Sequence, residues 1–151
     1  GVEVEVVPGI TAAVAASASL KVSLTRRGIA RNVVLVTPRV GETQRASDWI
    51  ASATAADTAV GYMGAREAAL LAREMMARGL PGTTPVAIVE NASLPDEHLL
   101  CGTLAELPAL SQRLGGGPAL IVVGEVLREK AAQVADANEA DSAPQGHARN
   151  A

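Results

Sequence analysis

The chain has 151 residues, of which 48% are apolar and 19% charged, and its formal net charge is -3. This composition favours a folded domain over a disordered chain, and the length is that of one domain. Aromatic residues are nearly absent, because the chain contains Trp49 and Tyr62 and no Phe. This scarcity argues against nucleic-acid recognition by base stacking, although other modes stay open, and we predict no nucleic-acid partner.

Cysteine content and hydropathy restrict the class of protein further. Cys101 is the single cysteine, so the sequence predicts neither an intramolecular disulfide nor a cysteine-based metal site. No apolar run approaches the roughly 20 residues that span a bilayer, and no secretory signal peptide is visible. We predict a cytoplasmic protein with no membrane association and no metal.

The first elements in chain order alternate between extended and helical segments. Residues 2–6 alternate Val and Glu and predict a strand that ends in a Pro-Gly turn. Residues 11–20 are rich in Ala and Ser and predict a helix with Thr11 as its N-cap. Residues 21–31 are typical of a loop, and residues 33–37 of a short buried strand.

The same alternation continues through the middle of the chain. We predict a turn at 41–44, a helix over 48–55 and a strand over 58–63. Residues 65–78 form the clearest helical pattern, since Ala68, Leu71, Ala72 and Met75 fall on one face.

The remaining elements complete an α/β pattern. Residues 85–90 and 98–103 predict two strands, residues 104–114 a helix, and residues 119–124 a last strand. Only a loop separates the first two of these strands, so we expect them to be antiparallel.

The predicted fold class is α/β, with a mixed sheet and flanking helices. We expect one domain over residues 1–128. Residues 129–151 are polar and predict a disordered tail.

Three strand ends carry the candidate site, because ligands of α/β sheets bind beyond the carboxyl ends of strands. They lie at residues 8–12, 62–64 and 90–93. Thr11 offers a hydroxyl, and Met63 offers a polarizable thioether against a flat ring. The backbone at Asn91 and Ala92 can hydrogen-bond a purine edge. The alternative for each is structural: a simple turn, a core methionine and a surface turn.

A run of basic side chains follows the first predicted helix. Its members are Lys21, Arg26, Arg27, Arg31, Arg39 and Arg45, opposed only by Glu42. Such a run attracts an anionic ligand, and Arg26, Arg27 and Arg31 are our candidates for binding it, since Arg suits bidentate carboxylate recognition. The alternative is a solvated loop.

Seven segments taken in order resemble one family. They are VPGITAA, SLTRRGIARNVVLVTPR, DW, DTAVGYMG, GLPGTTPVAIVENASLPDE, GTLAEL and PALIVVGEV. Together they resemble the uroporphyrinogen-III C-methyltransferases of the tetrapyrrole (precorrin) methylases, and the resemblance covers residues 1–128. It implies a fold of two α/β domains with S-adenosylmethionine in the cleft between them, of which this chain resembles the C-terminal domain.

The resemblance also implies residue roles. The cofactor contacts of the family match Thr11, Ala12, Met63 and Ala92. The implied reaction methylates two ring carbons of uroporphyrinogen III, giving precorrin-2 for sirohaem or cobalamin synthesis. This substrate is a polycarboxylate, which fits the basic run, and the family implies a homodimer. Acid/base residues would lie in the N-terminal domain, so we assign no catalytic residue and expect this half to be inactive alone.

Two alternatives remain open at this point. One is a different precorrin methylase of the same superfamily, since the substrate pocket distinguishes its members. The other is a non-catalytic module for binding or dimerisation that has the fold and lacks transfer activity.

Overall fold

The computed structural model describes residues 1–38 and 48–134, in which a five-stranded sheet is the central element. The strands are β1 (Val33–Val36), β2 (Thr58–Tyr62), β3 (Pro85–Glu90), β4 (His98–Thr103) and β5 (Ala119–Gly124). Their spatial order is β1-β2-β5-β3-β4. The predicted turn at 41–44, the basic residues Arg39 and Arg45, and residues 135–151 of the predicted tail lie outside the described residues.

Strand directions confirm the predicted mixed sheet. β1 is parallel to β2, whereas β5 is antiparallel to both β2 and β3, and β3 is antiparallel to β4. β2 and β3 therefore run in the same direction on either side of β5. Their carboxyl ends meet at one edge of the sheet, with the start of β5 between them.

Helices cover both faces of this sheet. They are α1 (Ala12–Leu20), α2 (Trp49–Ala55), α3 (Ala68–Ala77) and α4 (Leu107–Ser111). Short 3-10 turns occupy Ala65–Glu67 and Glu125–Leu127. Side chains of β3 alternate between two core clusters: Val86 and Ile88 pack with α3 and α4, and Ala87 and Val89 pack with α1. The sheet therefore has a hydrophobic layer on each face, as an α/β fold requires.

The helical periodicity of the sequence is confirmed in α3. Its buried residues are Ala68, Leu71, Ala72 and Met75, which is the predicted face. The preceding turn, Ala65–Glu67, is 3-10 rather than α-helical.

Three expectations differ from the structure. Residues 2–6 form no strand, and Val2, Val4 and Val6 are 78–90% exposed, because no described strand pairs with this segment. The helix predicted over 104–114 is confined to Leu107–Ser111, since Glu106 instead binds the backbone N–H of Thr103 and holds a turn. Residues 128–134 are helical and continue from the buried Val126 and Leu127, so the first part of the predicted tail is ordered.

Candidate cofactor-binding site

A groove of about 610 Å³ lies at the edge of the sheet where β2 and β3 end. Its lining residues are Ala12, Tyr62, Met63, Ala65, Arg66, Glu67, Asn91, Ala92, Leu94, Gly116, Gly117, Pro118, Ala119 and Leu120. Pockets of this size accommodate small-molecule ligands and cofactors.

All three predicted strand ends contribute to this one groove. Ala12, Met63 and Ala92 lie far apart in the sequence and line the same cavity. The topology explains why: β2 and β3 are parallel, so the residues that follow them emerge at the same edge. Because β5 lies between β2 and β3, the chain segments that follow these two strands begin about 10 Å apart, which leaves space for a ligand above the start of β5.

Thr11 lies beside the groove and is held there by Tyr62. The Thr11 hydroxyl is hydrogen-bonded to the Tyr62 hydroxyl, and the backbone N–H of Ala13 donates to the same phenolic oxygen at 3.2 Å. Thr11 has the extended conformation of an N-cap residue, but its side chain does not cap the helix. Tyr62 therefore supplies the acceptor that an N-cap side chain normally provides.

Two residues that follow strands adopt left-handed backbone conformations. Met63 has φ 54° and Asn91 has φ 53°, and both line the groove. Asparagine tolerates a left-handed conformation, but methionine rarely adopts one, and such unfavourable positions cluster at ligand sites. Here it turns the chain sharply after each strand and leaves Met63 61% exposed at the groove.

Another wall of the groove depends on the buried carboxylate of Glu90. This residue belongs to the predicted strand end at 90–93, but its role in holding the groove was not predicted. Glu90 is the last residue of β3 and is only 3% exposed. Its carboxylate accepts the backbone N–H of Gly115 at 2.9 Å and that of Gly117 at 2.7 Å. The bond from Gly115 is the main cause of a lowered Glu90 pKa, which burial opposes. The only signal in the sequence was a run of three glycines directly before a buried strand.

A second carboxylate ties α1 to the loop after β3. Glu97 accepts the Ser19 hydroxyl at 2.6 Å and the Ser93 backbone N–H at 2.7 Å. The hydrogen bond from Ser19 is the largest cause of the lowered Glu97 pKa. The loop that carries Ala92 is thus fixed between its two flanking glutamates.

The structure does not bring the predicted substrate-binding arginines to this groove. Arg26 pairs with Glu129 at 2.8 Å, and the Arg31 backbone N–H donates to Asp57 at 2.8 Å. Asp57 precedes β2, whereas Met63 follows it, so the length of this five-residue strand, roughly 17 Å, lies between them. Arg27 is exposed in the same loop as Arg26.

Residues 1–38 and 48–134 contain neither a metal-binding cluster nor a membrane-spanning helix. There, no three His, Cys, Asp or Glu side chains are grouped so as to hold a metal ion. No helix in these ranges has the length and apolar character needed to cross a bilayer.

Curated relatives of this chain are siroheme synthases. The chain is 39% identical over 127 residues to siroheme synthase 1 of Yersinia pseudotuberculosis, covering 84% of this chain and 27% of that protein. It is 41% identical over 125 residues to the siroheme synthase of Nitrosomonas eutropha, covering 82% of this chain and 26% of that protein. The chain therefore spans about a quarter of the length of these relatives.

Two solved structures have a fold similar to that of this chain. The uroporphyrin-III C-methyl transferase of Thermus thermophilus, in complex with S-adenyl homocysteine, matches with a TM-score of 0.69 and 32% identity, covering 83% of this chain and 54% of that one. A cobalt precorrin-4 methyltransferase of cobalamin biosynthesis matches with a TM-score of 0.74 and 27% identity, covering 82% and 52%.

The family assignment follows from a sequence profile. Residues 1–108 match the profile of the Tetrapyrrole (Corrin/Porphyrin) Methylases, which is more than half of the chain. The five-stranded mixed sheet with flanking helices is the fold that the structural relatives share. The chain belongs to the tetrapyrrole (corrin/porphyrin) methylase family.

Proposed function

We propose that this chain supplies one half of the S-adenosylmethionine site of a methyltransferase that acts on a tetrapyrrole. The observation that carries the proposal is the convergence of Ala12, Met63 and Ala92 on one groove. A structural relative in complex with S-adenyl homocysteine supports it. Bound S-adenosylmethionine supplies the methyl group, and the residues of this chain bind and orient it.

The lining residues fit a nucleoside-containing cofactor. Met63 presents a polarizable thioether that packs well against a flat ring. Ala92 and Gly117 are small, so a ligand can approach the backbone at this edge. Thr11, held by Tyr62, adds a hydroxyl at the rim of the groove. These contacts give binding and orientation, and we assign none of the groups a role in proton transfer.

The reaction that we propose for the whole protein is methylation of two ring carbons of uroporphyrinogen III to precorrin-2, for sirohaem or cobalamin synthesis. The identity to siroheme synthases and to a uroporphyrin-III C-methyl transferase supports this choice. A different precorrin methylase is the second candidate, because the cobalt precorrin-4 methyltransferase has the higher TM-score of 0.74.

We propose further that this chain is the C-terminal domain of such an enzyme and is inactive alone. It covers 52–54% of the structural relatives, so a comparable length of each relative has no counterpart here. The exposed segment at residues 2–6 is suited to pairing with that other half. A homodimer and a cytoplasmic location stay predictions. The substrate role of Arg26, Arg27 and Arg31 also stays a prediction, and their distance from the groove does not favour it.

A chimera tests the proposal. Residues 1–128 replace the matching half of the Thermus thermophilus enzyme, and methyl transfer to uroporphyrinogen III is measured. We expect activity in the chimera and no micromolar binding of S-adenosylhomocysteine to the isolated chain. Ala92→Leu should abolish binding in the chimera by filling the groove, whereas Ala77→Leu, at an exposed position of α3, should not. An active chimera that tolerates Ala92→Leu would place the cofactor elsewhere.

A further inference from the structure

The wall of the groove between β3 and β5 is a run of three glycines and a proline at residues 115–118. Gly116, Gly117 and Pro118 line the groove directly. Glycines lack side chains that could pack, and they have the largest conformational freedom in the unfolded chain. A defined wall made of such residues needs contacts from elsewhere in the molecule.

Those contacts come from the end of β3. The two carboxylate oxygens of Glu90 each accept one backbone N–H, from Gly115 and Gly117. The backbone N–H of Asn91 donates to the Pro118 carbonyl at 2.9 Å. Three hydrogen bonds thus join Glu90 and Asn91, at the end of β3, to the wall at residues 115–118.

The packing around Gly117 shows how closely this wall fits. A Cβ added at Gly117 would overlap the side-chain amide of Asn91. That amide is itself held, because it donates to the Asp96 carboxylate at 2.7 Å. The same contacts therefore fix both the position of the glycine turn and the left-handed backbone conformation of Asn91.

A buried carboxylate is destabilising unless its oxygens are hydrogen-bonded or paired with a cation. Glu90 is 3% exposed, and the imidazole Nδ1 of His98 lies 3.9 Å from its carboxylate. Hydrophobic residues line the rest of β3, so core packing alone does not require a charge here. The Glu90 carboxylate instead stabilises the glycine turn at residues 115–117 by accepting its backbone N–H groups.

We infer that Glu90 is a positioning residue for the cofactor: by holding Gly115 and Gly117 it fixes the groove wall against which the ligand packs. This inference rests on the proposed function. Glu90 does not line the groove, so its effect on binding passes through the glycine turn.

The test compares Glu90→Gln with Glu106→Gln in the 151-residue chain. Gln keeps the shape of Glu but presents an NH₂ group to one of the two N–H donors, so one hydrogen bond is lost. Glu106 is the matched control, because its carboxylate also accepts a backbone N–H, that of Thr103 at 2.9 Å, outside the groove. Amide exchange and S-adenosylhomocysteine titrations at millimolar concentration are followed by NMR.

We expect the unchanged chain to show ligand-induced shifts at Met63, Ala92 and Gly117. In Glu90→Gln, the amides of Gly115 and Gly117 should exchange faster, and affinity should fall about tenfold, which corresponds to about 1.4 kcal/mol. Glu106→Gln should lose stability without loss of affinity. If Glu90→Gln does not fold, Glu90→Asp, which retains the charge and shortens its reach, takes its place.

The outcomes separate the two proposals. If the unchanged chain shows no shifts at these residues, the proposed cofactor site is wrong, and the proposed role of Glu90 towards the cofactor is wrong as well. If the unchanged chain binds and Glu90→Gln binds equally well, the positioning role alone is wrong. The same conclusion holds if Glu106→Gln weakens binding as much as Glu90→Gln does.

Discussion

At each end of the sheet a carboxylate holds a loop through backbone N–H groups, but the cavities beside the two carboxylates differ in size. At one end the Glu90 carboxylate accepts two backbone N–H groups, and at the other the Asp57 carboxylate accepts those of Arg31 and Asn32. The groove beside Glu90 has a volume of about 610 Å³, whereas the cavity at Asp57 has about 240 Å³. Ligand pockets usually exceed about 300 Å³. A carboxylate that holds a loop therefore supports a binding wall only where strand ends leave space beside it.

Gly124→Ala is expected to have the largest effect on stability, at the end away from the groove. Gly124 has φ 150°, and an added Cβ would lie 2.5 Å from the Asp57 carbonyl oxygen. Overpacking against backbone and a left-handed conformation each cost about 1–3 kcal/mol. Urea denaturation should show a loss of about 3 kcal/mol. Ligand-induced shifts at Met63 should be retained in the folded fraction, and their loss would contradict a separation of the two ends.

Gly117→Ala should affect both stability and ligand binding, because it acts at the groove end. The added Cβ forces the Asn91 side chain away from Asp96, at a cost of about 1–3 kcal/mol. Gly115→Ala is the matched control, since its Cβ would meet Glu90 at 3.7 Å, an ordinary contact. Denaturation and S-adenosylhomocysteine titration are measured for both variants. Equal effects of the two substitutions would show that the close approach at Gly117 is unimportant.

Tyr62→Phe should produce a smaller effect, limited to the rim of the groove. It removes the hydroxyl that bonds Thr11 and the Ala13 N–H, and such a loss costs about 1 kcal/mol. Amide exchange at Ala13 should accelerate. Thr54→Val is the control, because its hydroxyl donates within α2, to the Ile50 carbonyl at 2.7 Å. If exchange at Ala13 is unchanged in Tyr62→Phe, the phenol does not hold the start of α1.

The smallest expected effect is on the dependence of stability on pH. The Glu90 pKa is lowered in the folded state, chiefly by the hydrogen bond from Gly115. Its contribution is therefore fully present above the ordinary Glu pKa of about 4.3 and is lost as the pH falls through the folded value. Asp48, lowered chiefly by its hydrogen bond from Arg78, acts in the same direction.

Below about pH 4.3, the free energy of unfolding should therefore fall more steeply on lowering the pH in the unchanged chain than in Glu90→Gln. Urea denaturation across this range measures both slopes. Parallel curves would mean that the Glu90 carboxylate is no better stabilised in the folded state than in the unfolded one.

Much of the fold was predictable because its signals are local. β3, β4 and β5 have the predicted bounds, and for β3 and β5 the reason is an apolar β-branched run that ends at turn residues. The buried face of α3 followed from its helical spacing. The segment at 2–6 has an equally good strand pattern, yet it forms no strand, because a strand also needs a partner.

The site was predictable only in part. The small and soft residues after strands indicated Ala12, Met63 and Ala92, and these do share one groove. Thr11 is the N-cap residue of α1, as predicted, but its side chain bonds Tyr62 rather than the helix backbone. Charge alone singled out Arg26, which pairs with Glu129 away from the groove. A charge run in the sequence does not reveal which end of the sheet its loop occupies.

By itself the sequence determined the alternation of strands and helices and the residues at the strand ends, because both follow from the chemistry of a few neighbouring residues. Only the tertiary structure decided that β5 lies between β2 and β3. That order buries Glu90, brings the distant Gly115 and Gly117 onto its carboxylate and opens the groove beside them. The reason is that burial and long-range hydrogen bonding depend on strand order and register, which no local pattern specifies.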